Sequence, residues 1–262
     1  MVGKNISLIF RQLKLNLQKE YQYKSSFYTQ ILMMIINNSF FIIQWLIIYN
    51  VTDSIGGYEF NDIMLLWGIA AVVFGVAYLL FDGVHSIGNM IYNGKLDVFL
   101  TQPRNVLINV ITSRSSVSAI GDILYGFIVF AIVGATWWQF LLLLPIGIIG
   151  AIIYVAVIVC FQSLGFFIKD GSSLAEIVSS AFFQFGNYPP VIFDNVVRVL
   201  MYTIIPCGFA LFVPLDSVFL GFNIWWILGM LGFGIVMVIL AFILFSKGLK
   251  RYNSGNLMGG RL

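Results

Sequence analysis

Long apolar runs separated by short polar blocks organise this chain. Residues 25–52, 63–81, 123–168 and 217–246 carry no Asp, Glu, Lys or Arg. An apolar helix needs about 20 residues to cross about 30 Å of hydrocarbon, so the first, second and fourth runs each predict one span. The third predicts two, on either side of the polar break Thr136-Trp137-Trp138-Gln139. A sixth span follows from a helix-start signal. Ser173-Leu174-Ala175-Glu176 has the S-x-x-E form in which two side chains satisfy each other's free backbone N–H groups. That helix runs through Ile177, Val178, Ala181, Phe182 and Phe185 toward Tyr188-Pro189-Pro190, where consecutive prolines remove donors and forbid continuation. The pattern predicts an all-α membrane protein with a single transmembrane domain over 1–262. Its spans lie at about 27–50, 63–81, 116–135, 140–168, 173–189 and 224–245.

Three segments outside these spans have patterns of their own. In the first 24 residues, Ile6, Phe10, Leu13, Leu17 and Tyr21 recur at helical spacing opposite Lys4, Ser7, Arg11, Lys14 and Gln18. This amphipathic pattern predicts an interfacial helix over 4–23, lying in the headgroup layer. A basic flank that only orients the first span is the alternative. Residues 82–115 form the longest polar segment, and within it an Asn93-Gly94 turn signal and the breaker Pro103 enclose room for barely two helical turns. Leu96, Phe99 and Leu100 share one apolar face there, with Lys95 and Asp97 beside it. So short a helix cannot bury that face against itself. Docking on another protein and packing under its own bundle are equal readings. The third segment, 192–220, is apolar but interrupted by Arg198, Pro206, Gly208 and Pro214. Broken backbone at membrane depth is tolerated only where protein or a wet cavity satisfies its polar groups. A re-entrant segment fits; the competing reading makes 196–213 the fifth span.

Charge then sets the orientation. Of the 14 Lys and Arg, thirteen fall on one face of the six-span layout, and only Arg198 lies on the other. Basic residues near span ends stay cytoplasmic, which places both termini inside and 192–220 outside. The five basic residues before position 25 and an uncharged run of 28 also exceed a cleavable signal, so the first span is expected to remain in the mature protein.

Composition narrows the chemistry. Cys160 and Cys207 both sit in apolar stretches and His85 is the single histidine, which argues against a disulfide framework, a multi-histidine metal site and a histidine-based catalytic set. His85 reads as a solvated loop residue. Gly88 through Leu96 approximates a phosphate loop, but five residues separate its glycines and Leu96 stands where a hydroxyl would bind Mg²⁺. No catalytic residue and no bound cofactor are expected, and nothing points to nucleic acid. Asp122 is the one ionisable group well inside a span, eight residues past Arg114 and about 12 Å further along a helix. It either pairs with Arg114 or Lys169 or lines the inner mouth of a pathway.

With both ends inside, an amphipathic first helix, the segment Gly94-Lys95-Leu96-Asp97-Val98-Phe99-Leu100-Thr101-Gln102-Pro103 and the outer Pro189, Pro190, Arg198, Pro206 and Pro214, the chain resembles the permease subunits of type-2 ABC exporters. The likeness is to a bacterial branch with paired permeases and a separate ATPase. It implies a plasma-membrane half-transporter that pairs with an identical or paralogous permease, with ATP and Mg²⁺ held by the partner ATPase. The coupling helix would be Gly94 to Leu100, through Lys95, Leu96, Asp97 and Phe99. The cargo would be a drug, lipid or peptide of hydrophobic or amphipathic character. An ATP-independent secondary transporter or channel is the alternative, and would be expected to place ionisable groups in several spans.

Overall fold

The computed structural model describes residues 2–168 and 171–252, with residues 2–5 described by backbone only. Lys169, Asp170 and Arg261 lie outside them, as does the side chain of Lys4. Helices account for nearly all regular structure. In chain order they are α1 (Val2–Tyr21), α2 (Lys24–Tyr49), α3 (Phe60–Phe81), α4 (Ile87–Tyr92), α5 (Asp97–Leu100), α6 (Val106–Ile111), α7 (Ser118–Val133), α8 (Trp137–Gln162), α9 (Gly171–Gly186), α10 (Asn195–Thr203) and α11 (Ile224–Leu249).

Four helices among the described residues are long and apolar enough to cross a membrane: α2, α3 with its continuation to Tyr92, α8 with its continuation to Phe166, and α11. The bent segment 195–219 makes a fifth if it is taken as one span. Every one of the six expected positions carries a helix. However, α7 and α9 have 16 residues each, about 24 Å at 1.5 Å per residue, shorter than a full crossing.

The core is built around α3. From Ile63 to Ala77 each of its residues is buried, because α7, α8, α2 and the broken segment surround it. Small residues let the helices close in: a Cβ on Gly126 of α7 would lie 2.7 Å from the Gly68 carbonyl of α3, and one on Gly147 of α8 would lie 2.4 Å from Val72. In α11, by contrast, a Cβ on Gly229 or Gly232 would meet nothing within 4 Å. Helices α2 and α11 flank the bundle and leave apolar faces such as Leu32, Phe40 and Ile47, or Ile235 and Ile239, exposed. Such faces suit hydrocarbon.

Local chemistry explains the breaks. Gly134 ends α7 in the left-handed region at φ 76°, which glycine adopts without Cβ strain. Two residues on, Thr136 opens α8 with a reciprocal cap, its backbone N–H donating to Gln139 Oε1 at 2.7 Å. The expected cap at Ser173 is not used: Ser173 lies within α9, whose described part runs from Gly171. At Gly171 the backbone approaches the preceding turn so closely that a Cβ would stand 2.3 Å from the Gly165 nitrogen.

The segment 192–220 is broken. α10 and the piece Gly208–Phe219 meet at 81°, and Pro206 sits in the break, where it cannot continue α10. The second piece winds as wide π-type turns over Gly208–Phe212 and Leu215–Phe219, with Pro214 between them. Ala210, Leu211, Phe212 and Leu215 are fully buried, so protein surrounds this irregular backbone. No straight helix forms over 196–213. Arg198 turns back to satisfy carbonyls of the turn that follows Pro189 and Pro190, with Nε donating to Phe193 O at 2.9 Å.

Candidate functional site

Two cavities and one turn hold the polar chemistry of the bundle. The first cavity is a cleft of about 560 Å³ floored by α3 and walled by α2, α7 and α9. Asn37 and Asn38 of α2, Asp122 of α7, and Trp67, Phe74 and Tyr78 of α3 line it. Asp122 is 7% exposed, and Asn38 Nδ2 donates to its Oδ1 at 2.6 Å. The adjacent Tyr125 hydroxyl donates to the Asn38 carbonyl at 3.1 Å, which fixes α2 against α7 at this level. The expected partner Arg114 is elsewhere. Its Nε lies 3.6 Å from Asp82 Oδ2, a long contact in which Arg114 is exposed and Asp82 half-buried, and its Nη1 donates to Ser86 Oγ at 3.2 Å. Lys169, the other expected partner, lies outside the described residues. Asp122 and Arg114 nonetheless line the same cleft, Asp122 inside it and Arg114 at the end carrying residues 82–115.

At the opposite end α2 closes on the turn after α9. Gln44 Nε2 donates to the Tyr188 hydroxyl at 3.4 Å, and the Trp45 and Tyr188 rings lie 5.8 Å apart. Beside this closure Tyr58 donates to Asp216 Oδ1 at 2.8 Å, joining the loop before α3 to the broken segment. Burial, then the Asp216 carboxylate, raises the Tyr58 phenol above its usual range, so it stays a donor at neutral pH.

The turn is the segment 93–100. Gly94 takes φ 68°, as an Asn-Gly turn signal demands, and reverses the chain between α4 and α5. Leu96 is 0% exposed and belongs to the main core. It therefore anchors the turn and cannot present itself to a partner, which corrects its place in the expected docking face. Phe99 packs partly against the same core, whereas Val98 and Leu100 are exposed. Only α5, Asp97–Leu100, is helical; Gly94 to Leu96 form the turn itself. Behind it stands Tyr252, whose phenol is raised by burial and by the Asp97 carboxylate beside it.

The second cavity, about 530 Å³, adjoins that turn and is lined by Lys95, Arg114, Glu176, Ser172, Asn89 and His85. His85 is not a solvated loop residue. Its ring stacks on Tyr78 at 5.1 Å, and its Nε2 lies 3.4 Å from the Tyr154 hydroxyl. Tyr154 also shares hydrogen bonds with Tyr78 at 3.3 Å and Ser179 at 2.7 Å, so one polar cluster ties α3, α8 and α9 to the turn after α3. Sequence reasoning missed Asn38, Tyr154 and Ser179. The Asn37-Asn38 pair inside an uncharged run was the only signal for any of them.

α1 forms a helix, and polar side chains dock it beside the buried Leu8. Gln12 and Asn16 bond Asn109, Ser115 and the Thr112 backbone, while Ile6, Phe10, Leu15 and Tyr21 stay exposed. Among the described residues no group of three His, Cys, Asp or Glu could hold a metal ion.

Comparison with known proteins adds one finding. The family model described as ABC-2 family transporter protein matches residues 32–255. No curated protein matches the chain.

Proposed function

The chain belongs to the ABC-2 transporter family as a multi-pass membrane permease, and from that premise we propose that it forms half of an ATP-driven exporter. The family implies association with an ATPase subunit, which would hold ATP and Mg²⁺ and perform the hydrolysis. Six crossings, with α7 and α9 as the short third and fifth, put both termini and residues 82–115 in the cytoplasm and the bend at 195–219 outside. The positions of the basic residues support that orientation. A second permease, identical or paralogous, completes the pathway, and α1 rests in the inner headgroup layer. Bacterial plasma membrane is the setting.

The observation that carries this reading is the split character of the turn 93–100. Leu96 is locked in the core that floors the cleft, while Val98 and Leu100 two and four residues on are bare. A face with those two properties can take a push from outside and pass it inward. Lys95, Arg114 and Glu176 around the adjacent cavity offer charged contacts for the same partner. The cleft is then an inward-open pathway half: its closure at Trp45 and Tyr188 lies outside, and its mouth at Asp82 and Arg114 lies inside. ATP-driven movement of the turn would alternate the two ends, exporting a hydrophobic or amphipathic cargo.

Copurification tests it. The full chain, isolated from native membranes, should bring down a P-loop ATPase, and the pair Val98→Asp and Leu100→Asp should release that ATPase while the chain stays monodisperse. If the double variant retains the ATPase in full, this surface is not the coupling site.

A further inference from the structure

Three buried polar groups around the cleft are left with bonding capacity to spare. Asp122 forms no ion pair with any described Lys or Arg, and its one side-chain partner is the Asn38 amide at 2.6 Å. Asn187, just past the end of α9, is 4% exposed and its Oδ1 has no hydrogen-bond partner. Trp67, also 4% exposed, has an unpaired Nε1–H. All three residues line the same cavity. Buried polar atoms are ordinarily satisfied, and a carboxylate at membrane depth ordinarily has a counter-charge or a wet cavity. Three such groups at one cavity indicate a ligand that completes them.

The chemistry of the lining decides the class. Asp122 and Asn187 Oδ1 are acceptors. Aromatic rings of Trp67, Phe74, Tyr78 and Phe183 supply π-faces and apolar contact. At the mouth Glu20 and Asp82 stand against the single base Arg114, which Asp82 already engages. The ionisable lining therefore comprises three acids and one base. A cavity of about 560 Å³ also falls in the range that encloses drug-sized molecules.

We propose that this cleft binds a monovalent organic cation with an aromatic or alkyl body, its charge held by Asp122 and Asn187 and its body laid against the rings. The Trp67 N–H then bonds an oxygen of the ligand or a water beside it. Assigning this cation as cargo rests on the export reading above; its binding to the cleft does not.

Tetraphenylphosphonium and tetraphenylborate, which share a shape and differ in charge, are the probes. The full chain, purified with its copurifying subunits into nanodiscs, should bind the phosphonium saturably and the borate not. Asp122→Asn should weaken phosphonium binding about tenfold or more, as loss of a buried charge partner does, and Asn187→Asp should tighten it. Equal binding of both ions overturns the proposal, as does unchanged phosphonium binding by a monodisperse Asp122→Asn protein. If Asp122→Asn does not fold, Asn187→Asp decides alone: tighter binding supports the site and unchanged binding refutes it. Absent cation binding with the ATPase still captured through Val98 and Leu100 sinks the cation site only. Lost ATPase capture with cation binding intact sinks the coupling reading only.

Discussion

Gln12 Nε2 donates to Asn109 Oδ1 at 2.6 Å, across 97 residues of sequence, and Asn109 Nδ2 passes a second bond of 2.6 Å to Gln102 Oε1. Helix α1 and the stretch just after α5 are thus held by one buried amide. Replacing it by an apolar residue of similar size takes this partner from the half-buried Gln12 and leaves Gln102 to solvent. Asn109→Leu is expected to destabilise the protein by about 1–3 kcal/mol, read as a lowered Tm in nanodiscs, and to weaken ATPase capture although it touches no exposed docking residue.

Leu96 and Leu100 should separate cleanly. Leu96→Ala removes a fully buried side chain from the core and should cost about 2–5 kcal/mol of stability. Leu100→Ala should leave Tm nearly unchanged and lower ATPase affinity. Reversed outcomes in thermal melts and pull-downs would contradict the anchor and docking roles.

Gly94 cannot be replaced without strain at φ 68°. Gly94→Val is expected to cost about 1–2 kcal/mol and to shift the turn, so that ATPase activity of the complex falls more than its stability does.

Tyr188 closes one end of the cleft through Gln44 and Trp45, the end that faces outside in the orientation proposed above. In a background with Cys160 and Cys207 replaced, a cysteine introduced by Asn37→Cys should be poorly labelled by an impermeant maleimide added outside. Adding Tyr188→Ala should raise that labelling severalfold. No increase would place the closure elsewhere.

Tyr58 gives a pH signature. Its phenol is raised above 10.0 in the folded protein, chiefly by burial and then by Asp216. The unfolded chain therefore releases this proton first, so its contribution is fully present below about pH 10 and is lost as pH rises above it. Tyr58→Phe should flatten that part of the alkaline decline in Tm, even though it also forfeits the bond to Asp216.

The helices were legible because hydrocarbon imposes a length and forbids charge: the runs 25–52, 63–81 and 217–246 correspond to α2, α3 and α11. The break at Thr136 was legible for a similar reason, as a polar interruption of the longest apolar run. Partnerships were not. Asp122 was expected either to pair with a cation or to line a pathway; it lines the cleft, Arg114 finds Asp82, and Asn38, 84 residues away, supplies the bond. Periodicity grouped Leu96 with Leu100 on one face, and only the tertiary packing shows that one is core and the other bare. His85 read as loop because a lone polar residue carries no signal of the ring waiting for it on α3. Ser173, read as a cap, lies inside α9 among the described residues, and local sequence carried no sign of the close backbone packing at Gly171.

The stacking of Tyr78 on His85 joins two compartments. Tyr78 borders the cleft, His85 borders the charged basin beside the turn, and Arg114 borders both. A partition two rings thick stands between them, 5.1 Å from centroid to centroid. On the coupling reading proposed above, a partner leaning into the basin would reach the chamber wall through this ring pair, with no long relay of helices in between.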